Sequence, residues 1–189
     1  MSTISPYIDE LQSWKKILKD KTLIFDADAI ISISKYSAAL LIDNLKKNKV
    51  ACCYIHPVLM ETLNTDNVVE RATRQTILDQ LAFVKMNDRI FETAKDLQME
   101  LHDECKTYPS PTDIYLGACA KWFPDTFLIT ANLADFPYPP FIRVSGIIVQ
   151  GNKSLKVLSI LEYKDSIKTP TLKEREEKTE TIDEEDIPF

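Results

Sequence analysis

The chain has 189 residues, 44% of them hydrophobic and 28% charged, the proportions of one soluble globular domain large enough to bury a sizeable core. No apolar run is long enough to span a bilayer, the N-terminus lacks the basic-then-apolar order of a signal peptide, and three glycines (Gly117, Gly146, Gly151) are too few for an all-β fold rich in tight turns. The net charge of −6 is uneven: Pro170 to Phe189 hold 8 acidic and 3 basic residues, which leaves residues 1–169 at −1, so the body has no broad basic surface and nucleic-acid contact would have to be local and metal-assisted.

In chain order, residues 7–20 place apolar side chains at 7, 8, 11, 14, 17 and 18, a helical spacing that Pro6 can start. Residues 22–27 read as a buried strand, because a short apolar run bounded by polar residues suits a strand covered on both faces. A helix is expected over 36–48, with lysines at its C-terminal end, and a second strand over Val50–Ile55. His56-Pro57 starts a helix carrying Val58, Leu59, Met60, Glu61 and Leu63, and helices follow over 67–81 and 89–106, joined by a short connection at Phe83–Met86. Pro109-Ser110-Pro111 breaks the chain before a helix from about Asp113 to Trp122, for which Thr112 is the expected N-cap. A third strand spans Thr126–Thr130, and Ile142–Gln150 with Lys156–Tyr163 suggests a C-terminal β-hairpin.

Strands alternating with helices imply an α/β fold with a parallel sheet and helices on both faces, occupying residues 1–166. Residues 167–189 are polar and acidic and are expected to be a disordered tail. Cys52, Cys53, Cys105 and Cys119 lack metal-site spacing, and adjacent strand residues point to opposite faces, so all four read as reduced thiols of a cytoplasmic protein.

Several polar residues stand where buried elements end. Asp26 closes the first strand with Asp28 just beyond it, Glu61 lies early on the helix after the second, Asp113 opens an otherwise apolar helix, and Asn132 and Asp135 follow the third strand. Ligands of parallel sheets sit outside the carboxyl ends of the strands, so these groups could converge. Singly, each has an ordinary role as helix cap, dipole partner or turn former. Together, oxygen donors without histidine suit Mg²⁺ or Mn²⁺.

Four segments in this order resemble the PIN-domain family, which includes the toxin ribonucleases of bacterial toxin–antitoxin pairs. They are Leu23-Ile-Phe-Asp26-Ala-Asp28, Ile55-His-Pro-Val-Leu-Met-Glu61, Pro109-Ser-Pro-Thr-Asp113-Ile-Tyr-Leu-Gly-Ala-Cys-Ala, and Leu128-Ile-Thr-Ala-Asn132-Leu-Ala-Asp135-Phe136, covering about residues 22–136. The resemblance implies a metal-dependent endoribonuclease in which Asp26, Glu61 and Asp113 bind Mg²⁺ or Mn²⁺, with Asn132 at the fourth polar position and Asp135 beside it. The substrate it implies is RNA, with an antitoxin or regulatory protein as partner and a homodimer as assembly. Asp28 departs from the family, which commonly carries Asn, Ser or Thr there, and so adds a carboxylate. The helix at 7–20 and the hairpin lie outside the matched segments, which weakens a stand-alone toxin role. Lys35, Arg71 and Arg74 are candidate phosphate contacts, although arginines and lysines on a solvated face are ordinary. His56, His102, Cys119 and Trp122 are assigned no chemistry.

The chain ends Thr181-Ile-Asp-Glu-Glu-Asp-Ile-Pro-Phe189, which resembles the acidic C-terminal tip of bacterial single-stranded DNA-binding proteins. A second function follows from it: an interaction protein whose tip docks on the partners of such proteins, acids steering it to a basic rim and Phe189 filling a pocket.

Overall fold

The computed structural model describes residues 14–106, 108–137, 140–151 and 154–164. Leu23, Ile24 and Phe25 are almost wholly buried and form the centre of the sheet as β1 (Thr22–Phe25). The chain continues through α1 (Ala27–Lys35), α2 (Leu40–Lys47), β2 (Ala51–Ile55), α3 (His56–Leu63), α4 (Val68–Leu78), β3 (Ala82–Val84) and α5 (Asp88–Glu100). A π-helical turn (Leu101–Cys105) leads to α6 (Pro111–Trp122), then β4 (Thr126–Thr130), a 3-10 turn (Leu133–Asp135), β5 (Phe141–Gln150) and β6 (Leu155–Tyr163).

The strands form one six-stranded sheet of order β3-β2-β1-β4-β6-β5. β1 pairs in parallel with β2 and β4, β2 pairs in parallel with β3, and β6 runs antiparallel to both β4 and β5. The parallel strands β1, β2 and β4 are each entered just after a residue with positive φ: Asp20 at 59°, Lys49 at 61° and Asp125 at 56°. That left-handed kink turns the chain sharply from the preceding helix into the sheet, and Asp is among the residues that tolerate it.

The order of connections decides where a ligand can sit. From β1 the chain moves outward to β2 and β3, then returns to place β4 on the other side of β1. Strand order therefore reverses between β1 and β4, and the carboxyl ends of these two strands flank the crevice that such a reversal opens. Helices α1, α3 and α4 pack together, as do α5 and α6. With right-handed crossovers running in opposite directions, the two groups fall on opposite faces of the sheet. At the crossing of α5 and α6, Gly117 has no room for a side chain: a Cβ there would lie 2.7 Å from Leu97 Cδ2 and 2.8 Å from Phe141 Cζ.

The α/β class and the mostly parallel sheet agree with the sequence, and several details differ. The segment at Phe83–Met86 is no mere connection, because Ala82–Val84 pairs with β2 as an edge strand. The sheet is not wholly parallel, since the hairpin joins it through β6, which lies beside β4. The expected 36–48 helix begins at Leu40, after Ser37 breaks the path with a φ of 52°. Of the expected 7–20 helix, residues 14–17 are helical, and Trp14 and Leu18 are buried in the core. Residues 1–13 and the acidic 167–189 tail, with its Asp-Ile-Pro-Phe tip, lie outside the described residues. Cys52, Cys53 and Cys119 are buried free thiols, and burial pushes each up to about 12. Trp122 is 40% exposed, with the Arg89 guanidinium 5.3 Å from its ring centre. No helix among the described residues is long and apolar enough to cross a membrane.

Candidate metal centre

Four stretches of chain bring carboxylates to one cleft. Asp26 is the last residue of the β1 path, held in the sheet by donating its backbone N–H to the Ile129 carbonyl at 3.0 Å. It stands at the N-cap of α1 in extended conformation, yet its side chain makes no capping hydrogen bond. Instead its carboxylate accepts a hydrogen bond of 2.7 Å from the Thr130 hydroxyl, at the end of β4. Asp28 follows in the first turn of α1. Glu61 comes from α3, Asp113 from the first turn of α6, and Asp135 from the turn after β4. The cleft, about 440 Å³, is lined by Asp26, Asp28, Glu61, Asp113 and Asp135 together with Ala27, Tyr108, Pro109, Ser110 and Ala134, with no lysine, arginine or histidine among these described residues.

Each of four carboxylates is held by an uncharged donor. Thr130 holds Asp26, the Thr112 hydroxyl holds Glu61, the Ser110 hydroxyl holds Asp113 at 2.6 Å, and the Asn132 amide holds Asp135 at 2.8 Å. Such bonds fix direction without cancelling charge. Burial pushes Asp26 up to about 7, with the negative charges of Asp113 and Asp28 adding to it and the Thr130 bond opposing. Burial likewise pushes Asp113 up to about 6, with Asp135 and Glu61 contributing and Ser110 opposing. Asp135 is raised by burial and by the charges of Asp28 and Glu61, against the Asn132 bond. Several negative groups thus face one hollow with no cation, which is the electrostatic condition a divalent ion relieves.

The donor chemistry fits a hard cation, since all the groups are oxygens and carboxylates prevail. The side chains are not gathered into a finished cage: among the described residues no three His, Cys, Asp or Glu groups are close enough to hold an ion as they stand.

Of the expected ligands, Asp26, Glu61, Asp113 and Asp135 all reach the cleft. Asn132 does not line it: its Oδ1 accepts from Ala134 N at 3.3 Å, capping the turn, and its Nδ2 orients Asp135. Asn132 thus holds Asp135 and does not itself face the hollow. Thr112 is not the cap of α6. Ser110 is, accepting from Asp113 N at 3.2 Å while its own N–H donates to Asp113 at 3.2 Å. Pro111 at the first helical position is the sequence signal that marks Ser110 as the cap. Arg71 and Arg74 are taken up by the fold: Arg71 donates to the Thr65 carbonyl, while Arg74 donates to the Thr62 carbonyl at 3.1 Å and pairs with Glu70 at 2.7 Å. Lys35 is exposed in the last turn of α1. Asp28, noted in the sequence as an added carboxylate, also lines the cleft, and Ser110, Thr112, Thr130 and Tyr108 are the contributors that the sequence did not single out as site residues.

An α/β protein with an acidic cleft at the switch point of a mostly parallel sheet is the class that fold and geometry define. Comparison with protein-family models, with curated proteins and with solved structures finds no significant match to this chain.

Proposed function

We propose that this chain is a metal-dependent nuclease of PIN-like design that hydrolyses RNA phosphodiester bonds. One observation carries the proposal: five carboxylates from four stretches line a single cleft at the carboxyl ends of β1 and β4, with no basic side chain among the described residues that line it. Asp26, Glu61, Asp113 and Asp135 are the residues that would hold Mg²⁺ or Mn²⁺, with Asp28 at the rim. When bound, such an ion neutralises phosphate charge and acidifies a water molecule. The chain's own part is to hold the carboxylates by Thr130, Thr112, Ser110 and Asn132 and to keep Asp26 and Asp113 buried.

The test combines binding with cleavage. Calorimetric titration of Mn²⁺ into the wild-type chain is expected to give saturable binding that Asp26→Asn abolishes. Asp26→Asn and Asp113→Asn are each expected to remove Mn²⁺-dependent RNA cleavage while the protein stays folded by circular dichroism. Full cleavage by both folded variants would end the proposal.

A further inference from the structure

The acidic cleft does not end at its carboxylates. Tyr108 and Pro109 form one of its walls and also line a second hollow of about 420 Å³, shared with Gln98, Met99, His102 and Asp103. Pro109 also borders a third hollow, about 200 Å³, containing Phe91, Tyr115 and Lys95. The three hollows share Pro109 in their walls and follow one another from the carboxylates along α5 and the start of α6.

The hollows are surfaced with rings that a stable core would have buried. Tyr108 is 79% exposed, and its ring centre lies 5.1 Å from that of His102 at a tilt of 57°. The His102 ring is in turn steadied by Asp103, 2.9 Å from its Nδ1. Further along, Phe91 is 45% exposed and meets Tyr115 edge-on at 5.6 Å. Tyr108 and Phe91 stand exposed beside these hollows, and the carboxylate at the His102 ring, that of Asp103, repels phosphate. Lys95, at the far end, is the one lysine or arginine among the residues lining the three hollows. A backbone-first contact is therefore disfavoured, and a base-first contact fits.

We propose that Tyr108 and His102 form a base-stacking platform that holds an unpaired RNA strand beside the acidic cleft, so that single strands are preferred over duplexes. The inference rests on the nuclease proposal for the choice of RNA and deepens it. Every base has a π-face and gains by stacking on an aromatic ring, largely regardless of sequence. A base in an A-form duplex is already covered on both faces and has none to offer, whereas an unpaired strand can splay its bases onto the protein. With a base on Tyr108, the adjoining phosphodiester lies toward the carboxylates and the backbone stays on the solvent side, away from Asp103.

The experiment uses the full chain and a short fluorescein-labelled RNA of mixed sequence, either single-stranded or annealed to its complement. Binding is read by fluorescence anisotropy in Mn²⁺ on protein carrying Asp26→Asn, so that the RNA stays intact, and cleavage is read separately with Asp26 present. The single strand is expected to bind about tenfold tighter than the duplex, and adding Tyr108→Ala is expected to weaken it about tenfold. Tyr108→Phe, which keeps the ring, is expected to restore most of that loss. In the cleavage assay Tyr108→Ala is expected to raise KM by a similar factor. Because Tyr108 is exposed, the variants are expected to melt as their parents do. No RNA binding, equal affinity for single strand and duplex, or a Kd that Tyr108→Ala leaves unmoved would overturn the platform. Tyr108-dependent binding by a chain that never cleaves would uphold the platform and overturn the nuclease proposal. Cleavage that Tyr108→Ala does not alter would do the reverse.

Discussion

Asp26 is held at a cost to folding, and replacing it by asparagine should make the metal-free protein more stable. Its carboxyl is raised from 3.8 to about 7, chiefly by burial. The folded state thus binds this proton more tightly than the unfolded chain does. The stability tied to that proton is complete below 3.8 and is lost as pH rises to about 7. A shift of roughly three units corresponds to about 4 kcal/mol, and relaxation around the charge leaves about 2–4 kcal/mol to be recovered. Asp26→Asn removes the charge, and its amide oxygen can still accept the Thr130 hydroxyl, so the local bonding survives. Thermal unfolding in EDTA, followed by circular dichroism, is the assay. At about pH 8 the variant is expected to melt roughly 5–15 °C above wild type for a chain of this size. The gap should close as pH falls toward the unfolded-chain value of 3.8. Excess Mn²⁺ is expected to narrow it from the other side, since an ion at a hundred times its Kd stabilises the wild type by about 2.7 kcal/mol and the variant not at all. A variant that melts with or below wild type at high pH, or a gap that ignores pH, would refute the claim that Asp26 is an unbalanced buried charge.

Three further substitutions probe the supports. Thr130→Val removes the donor to Asp26 and the acceptor of the Asn132 N–H at 2.9 Å, and should cost about 1–3 kcal/mol in urea unfolding, most of it where Asp26 is ionised. Ser110→Ala breaks the capping box of α6 and should cost about 1 kcal/mol by the same measurement, with Asp113 pushed further up by loss of its hydroxyl partner. Gly117→Ala forces a methyl group against Leu97 and Phe141, and is expected to cost about 1–3 kcal/mol, visible as a lower urea midpoint at unchanged slope.

The acids were legible in the sequence because charge is conspicuous at the end of an apolar run. Asp26 after Leu23-Ile24-Phe25, and Asp113 before an apolar helix, stand out without coordinates. The supports distant along the chain were not legible. Thr112 and Glu61 are 51 residues apart, and Thr130 and Asp26 are 104 apart, so only the fold reveals that these hydroxyls have carboxylate partners. β3 escaped notice because three residues on a sheet edge, mostly exposed, carry no alternation that a period-two pattern could reveal. The antiparallel pairing of the hairpin to β4 was hidden for another reason. A hairpin reads the same whichever of its two strands docks, and the choice of β6 depends on packing against β4. The aromatic pair was missed because Tyr108 and His102 become neighbours only through the turn between α5 and α6.

The seat of β6 beside β4 has a consequence for biosynthesis. All five residues of β4 are buried, yet one of its two hydrogen-bonding edges is satisfied only by Ser159–Glu162, near the end of the described chain. While the ribosome is still making that stretch, the nascent domain presents a bare apolar strand to its surroundings, the kind of margin that recruits foreign strands. The sheet around β4 is therefore completed only when β6 has been made, and a chain cut short before residue 155 would be prone to self-association.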